Sequence, residues 1–281
     1  MKPTPELIVQ SAEIPSIPKV LQQILALADR PTTSSADLEK YVTQEPALVV
    51  QLLKWVNSAA YALPQRVSSV AHAMILLGFS TVKSIASGMV LVNAFDEVTG
   101  LSKDYVRHVW RHTLAAAAFI KILTTKENNT RKDDFFLAAM LHDVGYLVLK
   151  QYFADKYNEL LERAPYPSDQ AEREVLGIDH VEVGAALLKD WKFAETVIDL
   201  VRHHHKSDDE YEGVKKDLYY LKISDELATK GDMKEYLFLK ENLVEIDFLH
   251  MLRVIGWRWV DLQAETDNIL QSLSTVEKLF E

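Results

Sequence analysis

Apolar residues along this chain recur at helical spacing far more often than they alternate. From Lys19 to Asp29 they fall at Val20, Leu21, Ile24, Leu25 and Leu27, one face of an amphipathic helix. The preceding Ile14-Pro-Ser-Ile-Pro18 reads as a rigid lead-in. Ser34 or Ser35 can cap a short helix that carries Asp37, Leu38 and Tyr41 and stops before Pro46. Ala47 to Ala60 predicts a helix with Leu48, Val49, Leu52, Leu53 and Val56 turned inward. Val67 to Leu77 predicts another, ended by Gly78, and Thr81 to Phe95 one more.

After a joint at Gly100-Leu-Ser102, with Ser102 as N-cap, the stripe Val109, Ala116, Phe119, Ile120 and Leu123 predicts a helix to Leu123, and His112 falls inside it. Thr124 to Lys132 reads as a loop. Asp133 or Asp134 then starts a helix carrying Phe135, Phe136, Ala139, Leu141 and Val144. It includes the pair His142-Asp143 and is expected to run past Gly145 towards Phe153. Pro165-Tyr-Pro167 breaks the chain, and Ser168 to Gly177 predicts a short helix. Asp179-His-Val-Glu182 has capping-box form, which puts His180 in the first turn of the next helix. Phe193 to about His204, Tyr219 to Ala228 with Asp225, and Asp232 to Glu281 complete the pattern, with an amphipathic helix from about Val260. The expected class is all-α, an N-terminal bundle of short helices packed on a helical core. Residues 1–100, 101–230 and 231–281 are the expected divisions.

Composition sharpens this. The 281 residues, 48% hydrophobic and 26% charged, are ordinary for a globular chain with a sizeable core. The net charge of −10 argues against nucleic acid or an anionic membrane as the main partner, while leaving room for a local basic pocket. With no cysteine, any metal must be held by His and carboxylates. No signal-like run follows Met1 and no apolar run approaches a membrane span, so the cytoplasm is the expected location.

His112, His142, Asp143, His180, His204, His205 and Asp225 all lie in the second half, on segments predicted to be separate helices. Imidazole nitrogen and carboxylate oxygen together suit first-row metals, and this set could hold one or two ions. Two close ions suit phosphoester hydrolysis. Adjacent His142 and Asp143 would point about 100° apart on an ideal helix, so a site using both must lie between their directions. Taken singly, each residue has a plainer reading: His112 as a core histidine, His180 as a surface residue, the His203–His205 run as a helix end, Asp225 as a cap or ion-pair partner. His108, one turn before His112, reads as structural.

Order and context add a resemblance. Ala138-Ala-Met-Leu-His142-Asp143-Val-Gly145-Tyr-Leu resembles the LLHDIGKL motif of the HD-domain superfamily of metal-dependent phosphohydrolases. His180-Val-Glu-Val-Gly184, Val201-Arg-His-His204-His205 and Leu221-Lys-Ile-Ser-Asp225 resemble its later elements. In the first half, Ile14-Pro-Ser-Ile-Pro18, Tyr41-Val-Thr-Gln-Glu45-Pro46-Ala-Leu48, Leu52-Leu-Lys-Trp-Val-Asn57-Ser58-Ala59 and Ala73-Met-Ile-Leu-Leu-Gly78 resemble the HDOD branch, an HD-related output domain of bacterial signalling proteins. The resemblance implies His112, His142, Asp143 and Asp225 as ligands, with His180, His204 and His205 completing a two-metal site as in the HD-GYP phosphodiesterases of cyclic di-GMP. Fe, Mn or Zn is the implied metal. Two departures weigh against catalysis. Tyr146 stands where the motif carries Lys, and Lys206-Ser-Asp-Asp-Glu210-Tyr-Glu-Gly213 follows the histidines in place of a Gly-Tyr-Pro loop. The expected function is a signalling output or adaptor module that binds signalling proteins or a small ligand. The alternative is a metal-dependent phosphohydrolase acting on a nucleotide or cyclic dinucleotide.

Overall fold

The computed structural model describes residues 3–11, 16–27, 34–61, 63–95, 100–124, 131–230 and 233–279. Ile14, Pro15, Asp29, residues 125–130 of the expected loop, Asp232 and Glu281 lie outside the described residues. The helices in chain order are α1 (Pro5–Ser11), α2 (Lys19–Ala26), α3 (Ser35–Val42), α4 (Pro46–Val56), α5 (Val70–Leu77), α6 (Phe79–Phe95), α7 (Lys103–Leu123), α8 (Lys132–Leu141) and α9 (Val144–Tyr152). They continue with α10 (Ala154–Leu161), α11 (Asp169–Leu176), α12 (His180–Asp190), α13 (Glu195–His203), α14 (Lys215–Thr229), α15 (Met233–Leu237), α16 (Ile246–Val254), α17 (Trp259–Ala264) and α18 (Thr266–Lys278). No strand occurs among the described residues, so the protein is all-α as expected.

Starts and stops follow the local chemistry. Ser34 caps α3 in a full capping box with Asp37, and the side chains of Ser69, Ser102, Ser168 and Asp179 accept first-turn amide protons of α5, α7, α11 and α12. Gly177 ends α11 at φ 82°, where a side chain would be strained. The helix expected from about Val260 is two helices, α17 and α18.

α7 is the central strut. Its stripe is buried along nearly its whole length, and α8, α14 and α18 all pack on it. α6 lies between the N-terminal helices and α8, while α12 packs on α9 and α13. Aromatic contacts tie the halves: Trp55 meets Phe136 edge-on at 5.9 Å, and Phe95 lies 6.1 Å from Trp110 and 6.3 Å from Trp191. Trp257 near the C-terminus donates its indole N–H to the Leu123 carbonyl at 2.9 Å, closing the end of α7. One continuous apolar core results, from Ile8 in α1 to Val276 in α18.

The His142-Asp143 pair departs from the single helix expected. It does not ride within one helix. α8 ends at Leu141, and α9 begins at Val144. His142 turns its ring back so that Nδ1–H donates to the Ala139 carbonyl at 2.8 Å, supplying that carbonyl with a donor at the helix end. Asp143 then leaves helical geometry at φ −101°, ψ 9°, and its carbonyl accepts from the Tyr146 amide to start α9. The geometric restriction of two adjacent residues on a regular helix is thereby lifted.

Candidate metal centre

Five helical elements deliver the seven side chains singled out in the sequence. His112 comes from mid-α7, His142 and Asp143 from the α8–α9 break, His180 from the first turn of α12, His204 and His205 from the end of α13, and Asp225 from α14. All seven converge. His112 Nε2 lies 3.2 Å from His142 Nε2 and 2.9 Å from Asp225 Oδ1. Asp143 Oδ2 faces this group, 3.5 Å from His112 Nε2 and 3.4 Å from His142 Nε2. The other oxygen, Oδ1, faces a second group, 3.7 Å from both His180 Nε2 and His204 Nε2. His205 Nε2 joins it 3.2 Å from His180 Nε2. The Asp143 carboxylate therefore stands between two clusters, with one oxygen turned to each.

The donor set fits transition-metal ions. Ligand atoms within each of three overlapping trios, His112–His142–Asp225, His142–Asp143–His204 and His180–His204–His205, lie within 4.8 Å of one another. Donors about 2.1 Å from one ion are separated by roughly 3.0–3.4 Å along an octahedral or tetrahedral edge, close to the spacings found here. Outer hydrogen bonds set the tautomers. His142 and His204 each donate Nδ1–H to the carbonyl three residues back, Ala139 at 2.8 Å and Val201 at 2.7 Å, and His180 donates to Glu172 Oε2 at 2.6 Å. In the neutral rings this leaves the Nε2 lone pairs pointing at the centre, the arrangement that metal-ligating histidines use. His204 Nε2 is buried and has no hydrogen-bond partner, which is costly unless a cation takes that lone pair.

Electrostatics follow from burial and the two aspartates. Burial pulls the His142 imidazole down, but the Asp143 charge and the Asp225 hydrogen bond overcome it and push it up to about 9. Burial likewise opposes charge on His180, and Glu172 reverses it, so its pKa is raised. Burial and then the neighbouring His205, His142 and His180 hold His204 well below the usual imidazole value. Burial would raise Asp225, yet hydrogen bonds from His112 and His142 keep it well below the usual carboxylate range.

Glu172 is the site residue that sequence reasoning missed. Fully buried on α11, it accepts from His180 through both the backbone amide at 2.7 Å and Nδ1, and from the Tyr157 hydroxyl at 2.6 Å. Its signal was present: it sits one turn before Leu176, a charge on the buried stripe of a short amphipathic helix. Two tyrosines roof the centre. Tyr146 stacks on His180 with ring centroids 3.9 Å apart and donates its hydroxyl to the Pro167 carbonyl at 2.8 Å. Tyr166, from the Pro-Tyr-Pro break, lies 4.9 Å from the His112 ring and stacks on His108 at 4.5 Å. His108 is thus a support for Tyr166, and His203 pairs with Asp199 at 2.9 Å, outside the cluster. Gly145 lets α9 and α12 touch: a Cβ there would press into the His180 carbonyl and lie 2.9 Å from the Gly184 nitrogen.

The sequence profile of the HDOD domain matches residues 14–207. An uncharacterised protein of Treponema pallidum (strain Nichols) is 25% identical over 201 residues, 69% of this chain and 38% of that protein, so the chain spans well under half of that relative. The fold is similar to a candidate phosphohydrolase of Shewanella amazonensis SB2B, with a TM-score of 0.75 at 18% identity over 98% of both chains. It is also similar to a candidate signal transduction protein of Marinobacter aquaeolei VT8, with a TM-score of 0.69 at 23% identity, over all of this chain and 61% of that one. Among the described residues no helix is long and apolar enough to cross a membrane.

Proposed function

Since the chain belongs to the HDOD family, we propose that it is a bacterial, cytoplasmic signalling module that binds partner proteins and carries a structural pair of divalent transition-metal ions. His112, His142 and Asp225 would hold one ion, His180, His204 and His205 the other, with Asp143 shared. The observation that carries this reading is the Asp143 carboxylate, which turns Oδ2 to one cluster and Oδ1 to the other. The name of the Marinobacter protein is in keeping with a signalling role. Tyr146 and Tyr166 favour a structural rather than a turnover centre, because their rings cover His180 and His112 and neither offers a cation to a phosphate.

One observation favours a second reading, phosphoester hydrolysis of a nucleotide or cyclic dinucleotide. His205 borders a cavity of about 370 Å³ whose lining carries Arg173, Lys189, Arg202 and Lys206. The carboxylates of Glu6, Asp169, Asp179, Glu182 and Glu210 stand beside them, so cations for a phosphate are present but closely matched by acids. Two bound ions would supply Lewis acidity towards a phosphoryl oxygen. Elemental analysis of protein purified without chelator, paired with assay of bis(4-nitrophenyl) phosphate in added Mn²⁺, separates the two. The proposal expects Fe, Mn or Zn bound stoichiometrically, lost in Asp143→Ala, and no turnover. Turnover that stops in Asp143→Ala would establish the hydrolase reading, and protein that takes up no metal would end both.

A further inference from the structure

A second concavity lies between α4, the flanking residues 57–59 and 63–68, and helix α18. Its floor is apolar, built from Leu53, Leu63 and Val67, with Val50 left 55% exposed at the edge. Among the described residues its charged lining is Lys54, Arg66 and Lys278, with no acidic side chain. In a chain with a net charge of −10, a groove whose described charged residues are three cations is a local reversal of sign. Ser58, buried at its base, has a hydroxyl without a hydrogen-bond partner. We propose that this groove is the docking site for an acidic peptide segment of a partner protein, with its apolar side chains on the floor and its carboxylates at Lys54, Arg66 and Lys278.

Three features point to that occupant. The groove is open and encloses about 1330 Å³, above the ~300–1000 Å³ usual for small-molecule sites. No aromatic ring lines it among the described residues, and stacking platforms are what single-stranded nucleic acid depends on. Its wall is already rigid: Asn57 Nδ2 donates to the carbonyls of Leu53 at 2.7 Å and Val67 at 2.9 Å, and its Oδ1 accepts from the Val67 amide at 2.7 Å. Lys54 Nζ donates to the Lys278 carbonyl at 3.0 Å and ties α4 to the end of α18. A wall fixed before binding reduces the ordering cost of receiving an extended segment. Complementary charge then selects acidic over basic partners.

This inference rests on the protein-binding half of the proposed function and not on the metal centre. The test is selection of a displayed random peptide library on the full chain, followed by fluorescence anisotropy of the enriched peptides against wild type, the charge reversal Arg66→Glu/Lys278→Glu, and Asp143→Ala. Arg66 and Lys278 are exposed, so the reversal should leave the fold intact, which circular dichroism checks. The expected result is enrichment of sequences mixing Asp or Glu with apolar residues, binding that weakens as salt rises, and a loss of at least ~10-fold in the reversal variant. Enriched peptides that are neutral or basic, or that ignore the reversal, would overturn the groove while leaving an adaptor role elsewhere on the surface. Failure to enrich any peptide, or peptides displaced by a short single-stranded oligonucleotide bound at Arg66 and Lys278, would also overturn it. Loss of metal in Asp143→Ala with peptide binding kept would show that the two readings fail or stand separately.

Discussion

Replacing Gly145 by alanine tests whether the contact between α9 and α12 holds the centre together. The added Cβ would press into the His180 carbonyl oxygen, with the His180 carbonyl carbon at 2.7 Å and the Gly184 nitrogen at 2.9 Å. All three are backbone atoms, so no side chain can swing aside. Restoring ordinary contact of ~3.5 Å takes a separation of roughly 1 Å or more between the helices. Overpacking of this kind costs about 1–3 kcal/mol, and the absence of a flexible neighbour puts Gly145→Ala near the top of that range. A loss of about 3 kcal/mol lowers Tm by about 6–12 °C in a chain of this size class. The same displacement carries His180 away from Asp143, and ~1 Å far exceeds the roughly 0.2 Å tolerance of metal–ligand distances. Differential scanning calorimetry with elemental analysis reads both effects. Gly88→Ala is the control, since its Cβ meets only the flexible end of the Met140 side chain and should cost much less. If Gly145→Ala melts with wild type and keeps the wild-type metal content, the close approach does not govern the centre and the reasoning is wrong.

Two further substitutions examine the outer layer of the site. Glu172→Ala strips the acceptor from His180 and Tyr157 at once; a destabilisation on the order of 3 kcal/mol and a 10–100-fold loss in metal affinity are expected by urea denaturation and metal titration, with Glu172→Gln milder in both. Tyr146→Phe removes only the hydrogen bond to Pro167 and keeps the stack on His180; it should cost about 1 kcal/mol in the same denaturation and leave metal content unchanged.

Much of the fold was legible because capping residues and apolar stripes agree. Ser34, Ser102 and Ser168 begin helices where their position implies, and Gly78 and Gly177 end them. The seven side chains of the site could be picked out by type and order, and they do converge. The break at His142 could not be read, because α8 and α9 are buried on almost every side and apolar residues resume directly on each side of the pair. The deciding interaction is a side-chain nitrogen reaching a carbonyl three residues back, which leaves no mark on periodicity. Glu172 escaped for the opposite reason: an acidic residue on a short, charged helix looks solvated until its burial is seen. The groove beside α18 depends on residues more than 200 positions apart, such as Lys54 and Lys278, and no local pattern announces it.

The break between α8 and α9 also changes the field in which the site works. Within one long helix, His142 and Asp143 would sit where successive peptide dipoles cancel. The interruption makes His142 the C-terminal cap of one helix and Asp143 the N-terminal cap of the next. A helix C-terminus carries the equivalent of about −0.5 charge and an N-terminus about +0.5. The imidazole therefore stands at the end that favours a cation, and the carboxylate at the end that favours an anion. The end of α13 repeats the first arrangement at His204. The backbone itself thus sorts charge at the centre, and two residues adjacent in sequence occupy opposite poles.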